Sequence, residues 1–267
     1  MSAAPRAIVF DLDETLYRER RFALSGFRAV ADVVSTACEV DRSTAFALLV
    51  SCLKRGDRAV ALQRMCQTLG QSTDAVPDLV DIFRRHAPSL HLPASSVRVL
   101  ARLRATWRIG VLTNGFPDVQ RRKVAALGLA GFVDEIVYAC EHGSGAGKPE
   151  AAPFLEVAKR LDVEPDACVF VGDDPIRDVF GARSVGMRTI RIDRIAYDRT
   201  TTGVPQDADA VTNNLEAVPR LAAALVGEGA PAARARRRSE VPRRGTAERA
   251  RVGVRPHAHQ GKRTECA

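Results

Sequence analysis

The 267 residues contain no C-x-x-C pair and no cluster of cysteine and histidine at zinc-ligand spacing. That excludes a zinc ribbon, a zinc finger and a thioredoxin-type redox motif. No apolar run is long enough to cross a bilayer as a helix, which takes about 20 such residues. The opening "MSAAPRAIVF" has no signal-peptide layout, so the expected location is the cytoplasm. Aromatic residues are few, at 5% of the chain, and residues 227–267 have none. That matters because the formal net charge of +8 is concentrated there, with eleven Lys and Arg against four Asp and Glu. A basic stretch without aromatics cannot stack on bases. What it retains is nonspecific, salt-sensitive contact with polyanions, so a nucleic-acid-binding role is expected to be weak at most.

The tail is rich in Arg, Ala, Pro and Gly and has almost no large apolar side chains. Such a composition cannot bury enough surface to offset its ordering entropy, and disorder is expected. His257 and His259 form an incidental H-x-H pair within it. Cys38, Cys52 and Cys66 recur every fourteen residues. Each lies on an apolar stripe, so they read as buried helix positions rather than a metal or redox array.

What is present is a core. Hydrophobic residues make up 46% of the chain. Short runs at 7–10, 109–113, 135–139 and 168–172 are rich in Val and Ile, with a weaker one at 188–192. Runs of that kind suit parallel strands covered on both faces. Helical patterns near 94–105, 117–127, 150–161 and 176–185 alternate with them, and 209–225 reads as a last short strand and a closing helix. The alternation predicts a doubly wound, Rossmann-like α/β sheet. Residues 22–91 break it with four amphipathic stripes, such as Phe27, Val30, Ala31 and Val34. The expected organisation is therefore a catalytic core of 1–17 and 92–226, a four-helix cap of 18–91 and a tail of 227–267.

Open α/β sheets place their sites at the carboxyl ends of the strands. Those ends carry Asp11 and Asp13, then Thr113 and Asn114, then Lys148 in a glycine-rich loop, then Asp173, Asp174 and Asp178. Several carboxylates around one lysine leave surplus negative charge. A hard cation with oxygen ligands would offset it, and Mg²⁺ fits because it takes few carboxylates and completes its shell with water and phosphate. Glu14 reads as a solvated turn acid. Arg18, Arg20 and Arg21 read as a solvated face, with the alternative that they meet a second anionic group of a substrate. The loop "HGSGAGKP" is not a nucleotide-binding P-loop: His142 stands where the first Gly is required, and Pro149 follows the lysine.

The segments "DLDET", "LTN", "GKP" and "GDDPIRD", in that order and each after an expected strand, resemble the haloacid dehalogenase superfamily. The likeness is to its phosphatases with a helical cap after the first strand, and it covers residues 7–192, extending to about 226. It implies Asp11 as the nucleophile that forms an aspartyl-phosphate, and Asp13 as the acid that protonates the leaving group and then activates water. Thr113 and Asn114 would bind the phosphoryl oxygens and Lys148 would balance charge. Mg²⁺ would be held by the Asp11 carboxylate, the Asp13 backbone carbonyl and Asp173. Asp178 matches the closing acid that orients the lysine or a metal-bound water, while Asp174 stands where relatives often carry serine. Dehalogenases of the superfamily lack an acid two residues after the nucleophile, so Asp13 argues against halide chemistry. The expected activity is hydrolysis of a small phosphorylated metabolite, a sugar phosphate or nucleotide. The alternatives are a phosphosugar mutase of the same superfamily and a nucleic-acid or polyanion-binding protein acting through its basic tail.

Overall fold

The computed structural model describes residues 6–193 and 208–227. The expected basic tail, Gly227 apart, lies outside them. Six strands form one parallel sheet: β1 (Ala7–Phe10), β2 (Arg108–Thr113), β3 (Glu135–Tyr138), β4 (Cys168–Gly172), β5 (Arg188–Ile192) and β6 (Ala210–Thr212). Their order is β3-β2-β1-β4-β5-β6. The chain winds outward from β1 to β3, then returns to β4 on the other flank of β1. The carboxyl ends of β1 and β4 thus frame the topological switch point, where a crevice opens.

The runs of Val and Ile form strands because both faces of the sheet are covered. Ile8, Phe10, Val169 and Val171 point into one core layer, against α5 (Ala94–Leu103), α6 (Pro117–Ala126) and α9 (Val218–Gly227). Val9, Cys168 and Phe170 point into the other, against α7 (Ala151–Arg160) and the short α8 (Gly181–Ser184). There Phe154 meets Phe170 edge to face, with centroids 5.1 Å apart. Proline at the first turn and Asp118 beside it start α6, as the helix dipole favours.

Between β1 and α5 stand α1 (Arg20–Cys38), α2 (Arg42–Lys54), α3 (Ala61–Thr68) and α4 (Val76–Arg85). Asp41 caps α2 by accepting from Thr44 N at 2.9 Å. The four helices enclose a separate cluster that includes Phe27, Val30, Leu49, Cys52, Met65, Cys66 and Leu79. Cys38, Cys52 and Cys66 are free thiols there, two of them buried. Phe22 and Leu90, at the two ends of the insert, pack instead into the main core.

The helix expected near 176–185 differs from the pattern. Residues Pro175–Phe180 form a wide π-helical turn, with Val179 N donating to Asp174 O five residues back at 3.2 Å, before α8 begins. Among the described residues no helix is long and apolar enough to cross a membrane.

Candidate active site

The acids are brought together by strand register. Phe10 lies beside Val171, so Asp11 follows level with Gly172, and Asp11 N donates to Val171 O at 2.8 Å. Lys148 reaches the same point from the loop after β3. Its Nζ lies 2.6 Å from Asp11 Oδ1 and 2.6 Å from Asp178 Oδ1, and all three side chains are buried. Gly147 has φ +78°, a left-handed conformation suited to glycine, and a β-carbon there would stand 2.8 Å from Asn114 Oδ1. That Oδ1 accepts from Lys148 N at 2.8 Å, while Asn114 Nδ2 donates to Lys148 O at 3.1 Å. Asn114 thus braces the lysine's backbone in this structure.

Asp178 organises the other side. Its Oδ2 accepts from Asp173 N at 3.1 Å and Asp174 N at 3.0 Å, turning the chain after β4 toward the crevice. Asp174 Oδ1 accepts from Ile176 N and Arg177 N, both at 2.8 Å, so it caps the π-helical turn. Thr113, at the end of β2, is buried, and its Oγ1 has no hydrogen-bond partner among the described residues.

One ammonium among three acids leaves negative charge in excess. Burial raises the Asp11 carboxyl well above the usual range, with Lys148 pulling against it and Asp178 and Asp173 adding to it. Burial and the nearby Asp178 push Asp173 up to about 7. Burial alone would lower the Lys148 ammonium, but the paired carboxylates outweigh it and raise it. Carboxylate oxygens of Asp11, Asp173 and Asp178 lie within 4.8 Å of one another. An all-oxygen set with surplus charge fits a hard divalent cation.

Asp13 stands apart from this cluster and faces the cavity. Its Oδ1 accepts from Tyr17 Oη at 2.6 Å, and Lys123 Nζ lies 2.9 Å from Oδ1 and 2.8 Å from Oδ2. The sequence pattern singles out neither Tyr17 nor Lys123. Glu14 is not simply a solvated acid. It has φ +58°, accepts from Glu19 N at 2.8 Å and pairs with Arg18 at 3.2 Å, which closes the turn between Asp13 and α1.

Above the acids lies a cavity of about 850 Å³, within the size range of small-molecule sites. The insert contributes Phe27, Leu62 and Phe83 to its walls, together with Arg58 and Arg84. Arg58 pairs with Glu19 at 2.8 Å, and Arg84 lies over the Phe116 ring at 4.0 Å. Arg18, Arg20 and Arg21 are not among the lining residues.

The family description "haloacid dehalogenase-like hydrolase" matches residues 5–186. The chain belongs to that family of hydrolases. It is 29% identical to the glyceraldehyde 3-phosphate phosphatase of Methanopyrus kandleri over 214 residues, 72% of this chain and 85% of the relative. It is 34% identical to the phosphoserine phosphatase of Thermus thermophilus over 128 residues, 47% of this chain and 50% of the relative. Among solved structures, a 2-haloacid dehalogenase from Pseudomonas syringae superposes with a TM-score of 0.55 at 27% identity, covering 82% of this chain and 99% of that one.

Proposed function

We propose that the chain is a phosphomonoester hydrolase acting on a small phosphorylated metabolite. The observation that carries this reading is Asp13, a second acid facing the cavity two residues beyond buried Asp11. Halide departure needs no proton, whereas an alkoxide does. Phosphatases among the relatives support the same side of the choice, as does a cavity sized for one small ligand.

In this reading an Asp11 Oδ attacks phosphorus, the bond from phosphorus to the ester oxygen breaks, and Asp13 gives its proton to the departing alkoxide. Water then attacks the aspartyl-phosphate. Asp13 takes its proton, and inorganic phosphate leaves with Asp11 restored. Lys148 holds Asp11 in place and balances charge as the phosphoryl group arrives, while the unpartnered Thr113 Oγ1 is a donor for a phosphoryl oxygen. Asp11 and Asp173, with the Asp13 carbonyl, would hold Mg²⁺, and Asp178 anchors Lys148 beside them. When bound, the ion neutralises phosphoryl charge. The helices of 20–85 serve as a cap that closes over the leaving group and excludes water.

The test is release of phosphate from an aryl phosphate and from a panel of phosphorylated metabolites. Asp11→Asn should reduce turnover to background and abolish a hydroxylamine-sensitive phosphoenzyme. A persistent phosphoenzyme in that variant would place the nucleophile elsewhere.

A further inference from the structure

We propose that Lys123 is a positioning residue for Asp13. The proposal rests on Asp13 being the acid that protonates the leaving group, and it adds how that acid is held. Lys123 lies on α6 with its side chain 3% exposed, and its ammonium spans both Asp13 oxygens. Gln120, one turn earlier, donates from Nε2 to Asp13 Oδ2 at 3.2 Å and also to Asn114 O. Both acceptors fix which end of that amide is nitrogen. Tyr17 completes the set from the other side. Asp13 therefore has donors on both oxygens, from α6 and from the turn before α1. It is held here as the carboxylate, the form that takes the proton from the attacking water. The leaving-group step starts from the protonated form, in which one of these donors gives way.

Structure alone is a weak reason for a lysine at this position. Gln120, Lys123, Val124 and Leu127 follow i, i+3, i+4, i+7, the buried stripe of α6. An apolar side chain would suit that stripe at least as well, because taking an ion pair out of water costs about what the pairing returns. Instead the ammonium sits 4.7 Å from the Phe22 ring centroid and 3.7 Å from Glu19, which pairs with Arg58 of the insert. The aromatic face and Glu19 restrict where the ammonium can go. What it restrains in turn is Asp13, beside the cavity and apart from the three clustered acids. Misplacing a reacting group by about 1 Å costs on the order of 100-fold in rate, so a rigid hold on this carboxylate is functionally useful.

The experiment compares kcat/KM for an alkyl and an aryl phosphate, because that ratio reports steps through phosphoryl transfer. An alkoxide needs the proton from Asp13 and a nitrophenolate does not. Lys123→Met should lower the alkyl value about 100-fold, and the aryl value far less. In the Asp13→Asn background the same change should have little further effect on the alkyl substrate. Should the melting curve show that Lys123→Met is unfolded, Lys123→Gln retains a donor at similar size and should show a smaller loss of the same selectivity. Equal losses on both substrates, or full additivity with an alkyl-selective Asp13→Asn, would overturn the role of Lys123 while leaving Asp13 as the acid. An Asp13→Asn variant with no alkyl selectivity would instead remove the reading on which the proposal stands.

Discussion

Gly172 lies directly against Asp178: a β-carbon at 172 would stand 2.5 Å from Asp178 Cγ and 2.6 Å from its Cβ. Only the absence of a side chain at the end of β4 lets that carboxylate sit where it meets Lys148 and two backbone amides. Gly172→Ala should therefore displace Asp178. The expected cost is about 1–3 kcal/mol of stability, typical of overpacking, with a loss of turnover larger than that of a comparable alanine elsewhere in the sheet. Wild-type turnover in a correctly folded Gly172→Ala protein would contradict the role given to Asp178.

Lys148→Met should be more damaging. It leaves Asp11 and Asp178 buried without their shared cation, and breaking a buried pair in this way costs about 3–5 kcal/mol. Calorimetry should show a clear drop in Tm, and turnover should fall to background. Adding Asp178→Asn to Lys148→Met should recover part of the Tm, because one uncompensated charge is removed, without recovering turnover.

Metal removal gives a third check. EDTA treatment should stop phosphate release, and Mg²⁺ should restore it. Binding of Mg²⁺ should also raise the Tm, by mass action on the folded state. Full turnover in stripped protein would rule out metal assistance.

The fourth concerns pH and the insert. Burial lowers the His86 pKa below 6.5, with Arg122 acting in the same direction and the Phe83 carbonyl opposing. Its Nδ1 lies 2.6 Å from Phe83 O, and its buried Nε2 has no partner among the described residues. A histidine whose folded pKa is depressed takes up its proton more readily when unfolded. Its contribution to stability is thus present above about pH 6.5 and is lost as pH falls through the window toward the folded value. The ring lies tilted against Phe22 with centroids 4.9 Å apart, so His86→Phe can occupy the same space. The variant should show a smaller decline in Tm between pH 7 and pH 5.5 than the parent.

Most of the sheet is legible in the chain because its strands are short apolar runs buried on both faces, and such runs need no knowledge of their neighbours. The clustered acids are legible for a related reason, since a strand's carboxyl end is a place in the sequence as well as in space. Lys123 and Gln120 are not, because what a helix presents to a site depends on how the helix is rotated against the sheet. Their trace is two polar residues on the apolar stripe of α6, a pattern that also describes a helix with a narrow core-facing edge. Arg58 and Arg84 reach the cavity only through the packing of the insert. The wide turn at 175–180 follows from Asp174 capping and Asp178 turning back, neither of which periodicity records.

The position of β1 has a consequence for how the chain is made. It is synthesised before the other described strands, yet its partners are Arg108–Val111 on one side and Cys168–Val171 on the other. About a hundred residues must leave the ribosome before this apolar strand finds a strand partner, and some sixty more before it is flanked on both sides. The helices of 20–85 are assembled from local contacts and can form in the interval. The strand that leads into Asp11 is thus made well before either of its strand partners, and until they emerge it is an unpaired apolar edge of the kind that makes incomplete chains prone to aggregate.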